Sequence, residues 1–522
     1  MLDRGDLLLL LAALPWIAFC GLLYASYPPS PDQWFLDYTG WMITRGAVPY
    51  RDFLDGVWPM GHWLHALSTL LFGTGLSAWR CFDFLFLVVC TAFGADLARR
   101  LWGRAAGAWM LVLYPALYIV NSAWFEGERD LVAANAGWIV LWAYFRGLSE
   151  GKPAWQILTG LAIAFSALIK PTFLGLGPAL ALHAGLGVIC GSWRLRDALA
   201  QIGLAGGSAA AGLALGFAGL ALGGSPVDSF LELGVRSVGL RFGNDVLPVG
   251  DAVVRLGRAY AIAWHWIGAG ALASLAWRLR RGALVENLLL PAALLAGCAS
   301  YFAQGQALYY TLGPVWATTI AILCSGLGLA TERWRVTSGW RRSVLSLLLL
   351  VAIGGTAKKL WTIHGDTVRW WTGEIGTQAY RSASTVGDEI TTAEALALAG
   401  ELRAQLPEGE TVLVWGRANA INVLAERPQP TRFHHYVHLT RSYLPQDLAE
   451  RWGRWFEEDL ERSRPRFCLV NHRFLEGLPE PRPAAALFLA DYLDRNYLVV
   501  RRIGESTLHE RRPAPVGRGG SE

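Results

Sequence analysis

Apolar runs of about twenty residues alternate with short polar connections from the start of the chain to about position 361, and then stop. Eleven runs are legible, at about 7–27, 78–97, 105–122, 131–147, 154–169, 172–190, 198–222, 256–276, 286–303, 309–330 and 343–361. A hydrocarbon core of roughly 30 Å takes about twenty helical residues to cross. Lipid leaves open backbone groups unsatisfied, so each run must be a helix. The pattern predicts a polytopic α-helical membrane protein of about eleven transmembrane helices over residues 1–361. The first run is long for a signal peptide, follows a poorly basic start and precedes further spans, so it reads as an uncleaved first span.

Two stretches in the first connection (28–77) carry elements of their own. Residues 32–44 form one short helix ending at Gly46. PMGHWLHALSTLLF, residues 59–72, is apolar but too short to span and reads as a helix lying in the interface. Beyond 361 the pattern changes. TVLVWG (411–416), RFCLVN (466–471) and YLVVRRI (497–503) read as buried strands, and 391–405, 446–462 and 483–495 as helices. Their alternation predicts a small C-terminal α/β domain over 362–522, with the last ten residues, PAPVGRGGSE, disordered.

Lys and Arg settle the orientation. They collect at Arg4, Arg99–Arg104, Arg146–Lys152, Arg194–Arg196, Arg278–Arg281 and Arg333–Arg342, which places those connections in the cytoplasm. The connections 28–77, 123–130 and 223–255 and the whole tail then face outward, into the periplasm of a bacterial inner membrane. The chain is 53% hydrophobic with a net charge of +5. Its basic residues sit in short loops, so they report topology and imply the lipid bilayer as partner, with no nucleic acid. Six of seven Cys lie in or beside apolar runs, leaving Cys468 alone in the tail; no CxxC or Cys/His cluster suggests zinc. Phosphate-loop, nucleophile-elbow and dinucleotide motifs are absent, so phosphate-loop hydrolysis and hydride transfer have no support.

The chemistry on offer is acidic. Asp32, Asp37, Asp52 and Asp55 follow the first span, and Glu126, Glu128 and Asp130 in WFEGERD follow the third, on the same expected side. Asp32 caps a helix or takes a proton from an acceptor hydroxyl. Arg51 is placed to pair with Asp52 or Asp55, and Arg129 to act as counter-ion within its own turn. Two acidic loops facing each other would hold an acceptor or a divalent cation, with Asp32, Glu126 and Glu128 as its ligands. Lys170, Arg236, Arg241, Lys358 and Lys359 are the cations near the outer surface. His62 and His65 share one face of the interfacial helix, with nothing nearby to complete a metal set.

DQWFLDYTGWMITRGAVPYRDFLDGVWPMGHWLHALSTLLFG, with WFEGERD and YYTLGPVWA further on, resembles the GT-C glycosyltransferases, in the branch holding protein O-mannosyltransferases and the lipid A aminoarabinose transferase. The resemblance implies a sugar carried on polyprenyl phosphate and passed, with inversion, to a periplasmic glycan, lipid or protein. It implies Asp32 as base, and Glu126 and Glu128 as the second acidic site. Asp37, Arg51, Asp52, Lys170 and Arg241 are the further substrate-binding candidates. Two departures stand out: Asp32-Gln33 replaces the acidic pair, and Trp58 replaces the turn lysine that would meet the donor phosphate. A lipid-linked sugar transporter, or a non-catalytic envelope assembly factor, is the alternative class. Sparse mid-span charge speaks against the transporter.

Overall fold

The computed structural model describes residues 4–240, 247–260, 264–279, 284–305, 308–441, 444–478 and 482–513. Helices lie in every expected apolar run; in 256–276 the described residues form Val249–Arg258 and His265–Leu279. Seven helices are long and apolar enough to cross a membrane, and an eighth counts if α1 (Arg4–Ser26) and α2 (Pro31–Thr44) are taken as one bent span. The other helices in the expected runs are α5 (Arg104–Tyr118), α7 (Pro153–Ile169) and His265–Leu279, so the described residues carry a polytopic helical bundle, as the apolar runs implied.

The remaining helices at the N-terminal side are α3 (Pro59–Phe72), α4 (Ala78–Trp102), α6 (Arg129–Glu150), α8 (Leu176–Ile189) and α9 (Leu195–Leu222). At the centre of the bundle stands Gly313–Val336, in which every residue from Gly313 to Ala330 is buried. Small residues make that possible. A Cβ on Gly328 would lie 2.7 Å from the backbone nitrogen of Ala106 on α5. Lipid supplies no hydrophobic drive between helices, so such close backbone contact carries the association. The last bundle helix, Trp340–Trp371, continues ten residues past the boundary expected at 361.

The Pro28-Pro29-Ser30-Pro31 break turns the chain by 89° between α1 and α2. Ser30 then caps α2: its Oγ accepts from the Gln33 amide, and its own amide donates to Gln33 Oε1 at 3.1 Å. α3 begins with Pro59 at its first turn. Its polarity is inverted for a surface helix. His62 and His65 are buried, while Leu67, Leu70, Leu71 and Phe72 are exposed, as suits an element whose outer face meets lipid. α2 and α3 touch backbone to backbone, since a Cβ on Gly40 would meet the His65 carbonyl carbon at 2.4 Å.

In the tail, β3 (Val412–Trp415), β4 (Phe467–Asn471), β6 (Ser506–Arg511) and β5 (Tyr497–Ile503) form one sheet in that order. β3 and β4 run parallel; β4–β6 and β6–β5 are antiparallel. Helices Thr392–Gln405, Gln446–Ser463 and Ala484–Asn496 complete the α/β unit. β3 and β4 are buried throughout, as the sequence implied. β5 is not: residues 498–502 are exposed, because the strand lies at the sheet's edge. The sequence reading missed β6 and the hairpin of β1 (Thr385–Gly387) and β2 (Ile390–Thr391). Residues 514–522, expected to be disordered, lie outside the described residues.

The tail is fastened to the bundle. The Leu54 amide donates to the Arg432 carbonyl at 2.8 Å, and the Gln429 amide to Tyr38 Oη at 3.0 Å. Glu232 pairs with Arg451 and accepts from Trp452 Nε1. His435 stacks on Phe35 of α2 at 4.0 Å, and His434 on Tyr38 at 5.2 Å.

Candidate active site

These contacts close a cavity of about 440 Å³ between the first loop, the 123–130 turn, the α7–α8 junction and the tail. Asp32 and Glu128 both line it, with Asp55, Arg129, Lys170, Gln304 and Tyr310. The tail adds Arg417, His435, His438 and Arg441. Asp32 reaches it from the first turn of α2, where the helix end favours a carboxylate. Glu128 caps the start of α6 and accepts from Ser30 Oγ at 2.9 Å. One serine therefore caps α2 and joins the second acidic turn.

Gln33 explains the first departure. Its Nε2 donates to the Glu126 carbonyl at 2.5 Å and approaches Glu128 Oε1 at 3.4 Å. A glutamate there would set a third carboxylate against Glu128, whereas the amide ties the turn down. Trp58, the second departure, packs on Phe217 and Phe230 and donates to the Gly234 carbonyl at 3.1 Å.

The cations sort by partner. Lys170 pairs with Asp130, which also accepts from Gln304 Nε2 at 3.0 Å. Arg129, expected to neutralise its own turn, lowers the Glu128 pKa through its charge, with no ion pair or hydrogen bond within contact distance among the described residues. Its stem runs beside the first turn of α3, for a Cβ on Gly61 would lie 3.6 Å from Arg129 Cδ. The Arg129 stem thus lies near the first turn of α3, beside Gly61, three residues from Trp58.

Other candidates go elsewhere. Asp37 bonds His65 Nδ1 at 2.7 Å and does not line the cavity. Arg51 and Asp52 pair with each other at 2.8 Å on the surface, the solvated salt bridge that adjacent charges favour. Arg241 lies outside the described residues. Asp55 takes the place imagined for Asp52: it is buried, 3.6 Å from His434 Nε2 and 3.5 Å from His438 Nε2. Glu126 turns away and accepts from the Asn121 amide at 2.8 Å. Asp32, Glu126 and Glu128 therefore do not converge on one point. Among the described residues no three His, Cys, Asp or Glu side chains are grouped to hold a metal. From sequence, the His434-His435-Tyr436 patch could be read only as an acceptor-recognition module or a stability cap, and Arg129 only as the counter-ion of its own turn; the fold brings His435 and Arg129 to the cavity.

Electrostatics separates the carboxylates. Burial pushes Glu126 up to about 8. Burial, and then the charge on Asp32, push Glu128 above the usual carboxylate range. Both are shifted toward the protonated form. A carboxyl raised in the folded state stabilises below its unfolded value, near 4.5, and that stability is lost as pH rises through 8. The protein should therefore melt lower at pH 9 than at pH 5. Glu126→Gln keeps the bond from Asn121 and should flatten this slope, melting higher than the parent at pH 9. Equal slopes for the two in thermal melts across this range would contradict the assignment.

Below the cavity lies an apolar slot lined by Ala134, Gly137, Trp138, Leu176, Ala293, Gly297 and Ala317. The slot is small, about 30 Å³, and Thr172 borders both spaces.

Residues 56–209 match the family model of dolichyl-phosphate-mannose-protein mannosyltransferases, a segment that contains Glu128, Arg129 and Lys170 but not Asp32. No curated protein matches the chain. The fold is similar to that of ArnT from Cupriavidus metallidurans bound to undecaprenyl phosphate. The TM-score is 0.60 at 14% identity, over 96% of this chain and 97% of that one. It is also similar to the archaeal oligosaccharyltransferase AglB from Archaeoglobus fulgidus in complex with an inhibitory peptide and a dolichol-phosphate. There the TM-score is 0.53 at 12% identity, over 88% of this chain and 69% of that one. The chain is a multi-pass membrane protein with the fold of ArnT.

Proposed function

We propose that this protein transfers a sugar from a polyprenyl-phosphate donor to a glycan, lipid or protein acceptor on the periplasmic side of a bacterial inner membrane, with inversion. One observation supports the reading: Asp32 and Arg129 line one cavity, and Thr172 borders both that cavity and a small apolar slot between helices. A polyprenyl-phosphate sugar has the matching parts, an apolar chain, an anion and a polar sugar. In this pose the chain lies in the slot and the phosphate meets Arg129. The anomeric carbon then faces Asp32.

The Asp32 carboxylate accepts the proton of the acceptor hydroxyl as that oxygen bonds the anomeric carbon. The bond from that carbon to the phosphate oxygen breaks, and polyprenyl phosphate leaves with the electron pair. A single displacement inverts the anomeric centre. Arg129 offsets the charge on the departing phosphate. Glu128, shifted toward its protonated form, fixes the Ser30 turn without competing for the proton. The tail residues His435, His438 and Arg417 form the wall where the acceptor enters. Asp83, a buried carboxylate on α4, accepts hydrogen bonds from Tyr24 and Tyr118, so it is held by neighbours rather than left open to a transported ion, which favours an enzyme over a coupled transporter.

Mass spectrometry of envelope glycans from a strain lacking the gene should show the loss of one sugar, restored by the parent chain. An unchanged glycan profile, together with flipping of lipid-linked sugar in proteoliposomes, would support transport instead.

A further inference from the structure

Arg80 is buried at the outer end of α4, with 0% of its surface exposed. An ionised side chain in an apolar bundle is costly unless its donors are used. Arg80 uses them on two turns at once. Nη2 donates to the Pro28 carbonyl at 2.9 Å and Nη1 to the Glu126 carbonyl at 2.8 Å. Pro28 lies two residues before Ser30, and Glu126 two residues before Glu128. Those downstream residues are the ones joined across the cavity by the 2.9 Å hydrogen bond from Ser30 to Glu128.

The surroundings brace the guanidinium. Arg80 Nη1 also donates to Tyr24 Oη at 2.6 Å, and Tyr24 passes a hydrogen bond to Asp83 at 2.7 Å. Tyr118 donates to the same carboxylate at 2.8 Å and accepts from the Gly127 amide at 3.2 Å. Gly127 sits directly on this platform at φ +73°, where a Cβ would meet Trp79 Nε1 and Tyr24 Oη at 2.9 Å. Holding α4 in the bundle does not require this arrangement, because an apolar residue would do that without a charge. What the guanidinium adds is a fixed gap between two turns distant in sequence.

We infer that Arg80 is a positioning residue for sugar transfer: one guanidinium sets the separation between the Asp32-bearing and Glu128-bearing turns. The inference rests on the proposed function for its kinetic consequence, but its geometry stands apart. A lysine at 80 reaches one carbonyl and not both, so Arg80→Lys should fold, bind donor and lose alignment.

The experiment uses the full chain in nanodiscs. Transfer kinetics with a polyprenyl-phosphate sugar are paired with distances between spin labels at Ser26 and Trp124, one beside each turn. Arg80→Lys should leave the donor KM within about twofold, lower kcat about tenfold or more, and broaden the distance distribution. A kcat and distance distribution like the parent's would overturn the inference. So would kcat and KM failing together with a collapsed melting transition in both Arg80→Lys and Arg80→Gln, the mark of a merely structural role. If the parent transfers no sugar, the proposed function fails, and the label distances alone decide whether Arg80 sets the gap.

Discussion

Asp32→Asn is expected to lower sugar transfer by about 10²–10⁴-fold, the range lost when a positioned general base is removed. The substitution keeps the side chain's size and its place in the first turn of α2. It removes the carboxylate at that helix end, worth roughly 0.3–1 kcal/mol there. Melting temperature and donor binding should therefore stay close to the parent's while kcat falls. Glu128→Gln is the matched control. Burial and the charge on Asp32 shift Glu128 toward its protonated form, so a neutral amide resembles it and activity should largely persist. If Asp32→Asn transfers sugar at the parental rate, or if Glu128→Gln is the variant that dies, the base has been assigned to the wrong carboxylate. The measurement is radiolabelled sugar transfer by purified protein at matched donor concentrations.

The second large effect concerns the donor phosphate. Arg129→Gln should weaken polyprenyl-phosphate binding by about tenfold to a hundredfold, as expected for losing a charge-assisted contact of roughly 1.5–3 kcal/mol. Stability should hardly change, because Arg129 supports no ion pair or hydrogen bond among the described residues. Lys170→Gln should behave differently. Asp130 is 1% exposed, and without Lys170 its charge is left buried with only the Gln304 amide beside it. Removing one member of a buried pair costs about 3–5 kcal/mol, so this variant should melt several degrees lower. Titration of polyprenyl phosphate into nanodisc-held protein, read beside thermal melts, separates the two. Undiminished binding in Arg129→Gln would return the phosphate to another cation.

The tail also bears on which acceptors fit. Without it the cavity would be open on the side now closed by Arg417, His435 and His438. Asp55 from the first loop sits between His434 and His438, and Arg432 pairs with Asp459 at 2.8 Å while its carbonyl accepts the Leu54 amide. The wall is thus held to the loop that carries Asp32, which makes the tail part of the site in the proposed reading.

Local pattern was enough for the elements. Apolar period and length placed the bundle helices, the short interfacial α3 and the capped α2, because each depends on residues near one another in sequence. The edge position of β5 was not legible, since YLVVRRI reads the same at the centre of a sheet or at its rim. The site was half legible. Asp32, Glu128 and Lys170 were named from sequence and line one cavity, while Asp37, Arg51 and Asp52 found local partners instead. Asp52 and Asp55 are three residues apart and look alike on paper. Only the packing of tail histidines against Asp55 tells them apart.

By itself the sequence determined a membrane-crossing helical bundle with an α/β tail and two acid-rich turns, since hydropathy and spacing act over a few helical turns. Tertiary structure decided which charges meet. Lys170 takes Asp130, Arg129 lines the cavity with Asp32 and Glu128, and Arg80 holds two turns nearly a hundred residues apart. Ion pairing and hydrogen bonding need atoms within about 3–4 Å, and for residues so far apart along the chain that proximity comes only from the fold.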